Sequence, residues 1–138
     1  MTGYGSVGTY QLAVTAQPYV DDYAGDATTS GQIAAGETRA GEIGHWFDRD
    51  WFRTSLTEGE TYEISLRGGD SGSGTLPDPY VILRYADGNE IAADDDGSGT
   101  LDSLLVFTAE ASGDYFIDAG ELASGTGTYV LSVELLMT

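Results

Sequence analysis

DWFRTSL, residues 50–56, sets Phe52, Thr54 and Leu56 on one side of an extended chain and leaves Trp51 on the other. A period of two with one apolar side is the pattern of a strand with one buried face. TYEISLR, residues 61–67, repeats it with Tyr62, Ile64 and Leu66, and TEGE between the two reads as the turn of a hairpin. Downstream, PYVILRY (79–85) and NEIAA (89–93) flank ADGN, whose Asp87-Gly88 pair is a strong hairpin signal. SLLVFTA (103–109) and DYFIDAG (114–120) flank a tight connection, EASG, and GTYVLSV (127–133) aligns Tyr129, Leu131 and Val133. Upstream, GQIAA (31–35) and TRAGEIG (38–44) form a weaker pair around GE. Some eight to nine short strands with frequent glycine turns predict an all-β fold, an antiparallel β-sandwich of jelly-roll type.

Composition agrees with one such domain. A chain of 138 residues is long enough for a single core without disulfides, and it has no cysteine to form them. Nine Tyr, four Phe and two Trp argue for a folded chain despite the 20 glycines. The formal charge is −18, from 23 acids against five basic residues, which makes nucleic acid and anionic membrane surfaces poor partners. Divalent cations are natural ones. No apolar run approaches the roughly 18 residues of a membrane span, so no membrane insertion is expected. MTGYGSVGTYQL has no basic region before an apolar stretch, so it reads as an excised segment without a signal peptide.

One internal repeat is visible. GTYQLAV at Gly8–Val14 matches GTYVLSV at Gly127–Val133 in five of seven positions, 119 residues apart. Residues 1–16 are therefore expected to be the strand left from a preceding tandem copy, or an extra edge strand, with the module occupying 17–138. Two segments suited to one sheet position make a strand-exchanged oligomer possible.

Strand direction then sorts the acids. If 51–57 runs up, alternation of direction brings Asp21, Asp22, Asp26, Asp48, Asp50, Asp70, Asp78, Asp94, Asp95, Asp96 and Asp102 to the lower end. Glu58, Glu60, Asp87, Glu110 and Asp114 fall at the other. Like charges about 4 Å apart repel by about 1 kcal/mol in water and several times more near a low-dielectric surface. Calcium suits such a pole, because it takes six to eight hard oxygens in irregular geometry; zinc would want His or Cys.

The ordered segments DDYAGDATTSGQIAAGETRAGEI, DRDWFRTSLTEGETYEISLRG, LPDPYVILRYADGNEIAADDDG, DSLLVFTAEASGDYFIDA and GTGTYVLSVE resemble the bacterial pre-peptidase C-terminal domain family. The resemblance covers Asp21 to Glu134, with D-x-D-W-F, D-P-Y and D-D-G as its most specific elements. It implies a jelly-roll sandwich appended to secreted proteases, other hydrolases and large repeat-containing surface proteins. It also implies calcium binding where an acidic linker meets the loop before a core strand, as in the related domains of bacterial collagenases. The corresponding residues are Asp21, Asp22 and Asp26 with Asp48 and Asp50, although the acid spacing departs from the collagenase pattern. Collagen binding itself does not carry over, since no collagen-contacting motif matches.

Within the pole the expected calcium ligands are Asp48, Asp50, Asp78, Asp95 and Asp96, with Asp22 and Asp26 as a second group. Pro79 restricts Asp78 to extended conformations, and Gly97 permits a sharp turn beneath an ion. Asp94, Asp70 and Asp102 are expected to be solvated or to lie behind the ligands. The G-D-S-G string at 69–72 resembles a serine protease nucleophile motif, but 138 residues are too few for that fold and Ser71 reads as a loop residue. No catalytic residues are assigned. The expected function is a non-catalytic, calcium-stabilised module of a larger secreted or cell-surface protein, with neighbouring domains as partners. The alternative is recognition of extracellular polysaccharide or protein through an exposed aromatic face of Trp46, Trp51 and Tyr80.

Overall fold

A computed structural model describes residues 23–44, 48–69, 72–94, 102–121 and 125–136. Among these are eight strands: β1 (Glu37–Ile43), β2 (Asp50–Leu56), β3 (Thr61–Arg67), β4 (Pro79–Tyr85), β5 (Glu90–Asp94), β6 (Ser103–Thr108), β7 (Gly113–Glu121) and β8 (Gly127–Leu135). They form two four-stranded sheets, ordered β1-β8-β3-β6 and β2-β7-β4-β5, in which neighbouring strands are antiparallel. The expected sandwich is present.

The alternating side chains meet between the sheets. Phe52 and Leu56 of β2, Val81 and Leu83 of β4 and Ile117 of β7 oppose Ile64 and Leu66 of β3 and Leu131 and Val133 of β8, all at most 1% exposed. Each strand contributes its apolar side to one shared core.

Two connections differ from the hairpins that alternation suggests. β2 and β3 belong to different sheets, β2 pairing with β7 and β3 with β6 and β8. Their short link, closed by Glu60 N–H donating to the Thr57 carbonyl at 3.1 Å, crosses the core instead of folding back within a sheet. β6 and β7 are separated in the same way. Alternation identifies the buried side of a strand but not its neighbour, and each of these strands satisfies its apolar side across the sandwich. The β4–β5 hairpin is formed as expected, with Gly88 at φ +92° accommodating its turn. GQIAA does not pair with β1; Gln32 instead makes a parallel bridge to Arg53 on the edge of β2.

Strand directions follow the alternation throughout. The ends Ile43 and Gly127 are paired, as are Pro79 and Glu121, while Asp50 pairs with Ala119 and Asp94 with Val81. Asp50, Asp78, Asp94 and Asp102 therefore share one pole of the sandwich, where Asp48 enters β2.

Candidate functional site

At that pole the strand ends, not free loops, hold the described aspartates. Asp48 and Asp50 stand two residues apart on the inward-facing parity of β2, and they are 5% and 0% exposed. Asp48 Oδ2 accepts the Gly44 N–H at 3.0 Å, tying the end of β1 to the start of β2. Asp50 Oδ2 accepts the Tyr129 hydroxyl at 2.6 Å, which links the two sheets through a buried hydrogen bond. Asp78 is half-buried at the start of β4, and its N–H donates to Glu121 Oε1 at 2.8 Å.

The β5 and β6 ends are pinned similarly. Asp94 Oδ2 accepts the Leu104 N–H, and Asp102 Oδ1 accepts the Gly68 N–H, both at 2.9 Å. The Ser103 hydroxyl lies 2.6 Å from the Pro79 carbonyl oxygen and 2.9 Å from that of Asp94. Asp102 is only 2% exposed, so of the two expectations for it the solvated one does not hold; it satisfies a backbone donor at the end of β3.

Asp26 is exposed and accepts both the N–H and the hydroxyl of Thr28. Those bonds, the hydroxyl first, hold its carboxyl below the ordinary value. The stability they contribute is present above the unfolded pKa and lost as pH falls through the lower folded pKa. Thr28→Val is expected to raise the Asp26 pKa partway back, readable by NMR titration of its carboxyl carbon.

Among the described residues, no group of three His, Asp or Glu side chains converges as a metal-holding set. Asp48, Asp50 and Asp78 come to one pole, whereas Asp26 is occupied by its own turn. Asp22, Asp95, Asp96 and Trp46 lie outside the described residues, as do Asp21, His45, Asp70 and Ser71.

A second constellation covers the outer face of the β2-β7-β4-β5 sheet. Asp118 lies in the middle of β7, opposite Trp51 on one side and Ile82 on the other, and is 2% exposed. Its Oδ1 accepts from Arg49 Nε at 2.6 Å, and its Oδ2 accepts from Arg84 Nε at 3.0 Å and Nη2 at 2.9 Å. Arg49 then lies over the Tyr80 ring at 5.4 Å, Arg84 over Trp51 at 5.1 Å and Arg53 over Phe116 at 5.2 Å. Trp51 and Phe116 also pack with centroids 5.3 Å apart. A Cβ on Gly120 would collide with the Arg49 guanidinium, so the glycine makes room for it.

Three of the five basic residues thus lie on one face, interleaved with aromatic rings. This layer explains why Tyr115–Gly120 is buried without interruption. Trp51 and Tyr80, the described members of the aromatic face, each carry a guanidinium over one ring face. Asp118 had escaped the sequence reading; the signal for it was a carboxylate at the centre of an apolar strand, where a charge needs partners.

The sequence profile of the bacterial pre-peptidase C-terminal domain matches residues 48–120. Among solved structures, the chain is similar to the pre-peptidase C-terminal domain of collagenase from Bacillus anthracis. That match has 22% identity, covers 75% of this chain and 93% of the other, and has a TM-score of 0.59. It is also similar to PliG from Aeromonas hydrophila, a periplasmic inhibitor of g-type lysozyme, at 12% identity, 75% and 96% coverage and a TM-score of 0.49. Among curated proteins nothing matches.

Proposed function

Since the chain belongs to the bacterial pre-peptidase C-terminal domain family, we propose that it is a calcium-stabilised accessory module of a larger secreted or surface protein. Domains of this family are non-catalytic accessory modules of secreted bacterial proteins such as collagenases. The observation that carries the calcium reading is the pair Asp48 and Asp50, only 5% and 0% exposed, at a pole they share with Asp78, Asp94 and Asp102. Gathering carboxylates at a low-dielectric surface is unfavourable unless cations or hydrogen-bond donors offset them.

The donor chemistry fits calcium. The chain offers 23 carboxylates, one histidine and no cysteine, a hard-oxygen set with almost nothing for zinc. Asp48 and Asp50 are oriented by the Gly44 N–H and the Tyr129 hydroxyl, respectively. Asp48, Asp50 and Asp78 would hold the ion from the strand side, and Asp22, Asp95 and Asp96 would complete its oxygen shell.

Calcium bound only by the folded chain adds RT ln(1 + [L]/Kd), about 2.7 kcal/mol at a hundredfold excess over Kd. Melting in millimolar calcium is therefore expected to exceed melting in EDTA by roughly 10 °C, with equimolar magnesium giving much less. Asp48→Asn is expected to shrink the difference and Trp51→Ala to preserve it. Equal melting temperatures in calcium and EDTA would rule the reading out. Recognition of polysaccharide or protein through Trp51 and Tyr80 has weaker support, because a guanidinium already covers one face of each ring.

A further inference from the structure

The β8 position explains which residues recur at the N-terminus. In β8, Tyr129, Leu131 and Val133 are at most 1% exposed, and the Tyr129 hydroxyl reaches Asp50. Gly127 has φ +152°, and a Cβ there would lie 2.7 Å from Leu76 N. Thr128 pins the 75–76 loop: its carbonyl accepts from Thr75 N and Leu76 N, at 3.0 and 2.9 Å, while its N–H donates to Thr75 Oγ1 at 2.9 Å. These five residues are the five that recur, as Gly8, Thr9, Tyr10, Leu12 and Val14.

The two substitutions fall on the side of β8 that faces away from the core. Gln11 stands for half-buried Val130, and Ala13 for Ser132, which is 7% exposed and whose hydroxyl accepts from Arg67 Nη2 at 2.9 Å, a bond that alanine gives up. A generic strand opening would need alternating aliphatics, but neither the exposed Thr128 nor a glycine at 127. Gly8–Val14, which lies outside the described residues, thus carries the three side chains that this position turns into the core and the Gly-Thr pair that begins it.

We propose that Gly8–Val14 fits between β1 and β3 of a second copy of this chain, in place of β8, so that copies assemble by strand exchange. The resident β8 is tethered and holds the position at an effective concentration on the order of millimolar. Exchange therefore requires β8 to leave, as it does during refolding, and it grows with protein concentration.

The full chain, refolded from denaturant at rising concentration, is expected to yield a dimer by light scattering. Tyr10→Asp is expected to abolish that dimer while leaving the monomer's melting temperature unchanged. The chain has no cysteine, so a crosslink can report register. Ser65 of β3 is opposite Ser132, and Ala13 takes the Ser132 position in the exchanged strand. Co-refolding Ala13→Cys chains with Ser65→Cys chains is expected to give a mixed disulfide dimer, whereas Leu12→Cys chains, directed at the core, do not link. The Ser65→Cys chain refolded alone, checked by its melting curve, establishes that the acceptor folds. Absence of the mixed dimer at every concentration, equal linkage from Leu12→Cys, or a dimer that survives Tyr10→Asp would overturn the proposal.

Discussion

Asp118→Ala is expected to lower the unfolding free energy by about 3 kcal/mol, measured by chemical denaturation. Removing one partner of a buried ion pair typically costs about 3–5 kcal/mol, because it strands the other charge. The lower end applies here: Asp118 is buried, but Arg49 and Arg84 have side chains 22% and 21% exposed and can regain some hydration. Two guanidiniums would then face each other across β7 with no carboxylate between them. Against a typical total of about 5–15 kcal/mol, that loss is large.

The charges themselves need not be net stabilising. A triple replacement, Arg49→Met with Asp118→Leu and Arg84→Met, is expected to recover most of the loss, since buried ionic triads can often be exchanged for packed apolar groups. Single and triple variants will therefore be strongly non-additive. A loss below about 1 kcal/mol in Asp118→Ala would mean that the face behaves as an ordinary solvated surface.

The reach of sequence reasoning ended where strand pairing began. Alternation in residues 50–56 identifies Phe52 as buried and turns Trp51 outward, and the count of direction reversals is enough to gather the aspartates at one pole. Neither step says that β7 lies between β2 and β4. Only that order brings Arg49, Asp118 and Arg84 together, from positions 34 and 69 residues apart along the chain. The same limit left Asp102 undecided between a solvated acid and one behind the ligands, because its role depends on Gly68 at the end of a strand from elsewhere in the sequence. Asp48 and Asp50 were legible because their placement follows from β2 alone.

Phe52→Ala is expected to cost about 3–5 kcal/mol, the range for truncating a large buried aromatic side chain, and more than Trp51→Ala despite the larger ring of the latter. Phe52 is 0% exposed, with Tyr129 edge-on at 6.5 Å and Tyr23 packed at 4.5 Å. It therefore joins the core to the segment that runs beside β2, where Ala24 accepts the Trp51 N–H and Gly31 the Arg53 N–H. Gly31 is needed there, since a Cβ would lie 2.7 Å from the Trp51 carbonyl oxygen. Trp51 is half-buried, and its loss removes part of a surface layer and one guanidinium contact, about 1–2 kcal/mol in all. Denaturation of the two single variants thus measures the phase of β2 directly. A larger loss from Trp51→Ala would shift the buried face by one residue. Asp48 and Asp50 would then turn outward and Arg49 inward, and the pairing that sets Asp118 opposite Trp51 would fall with them.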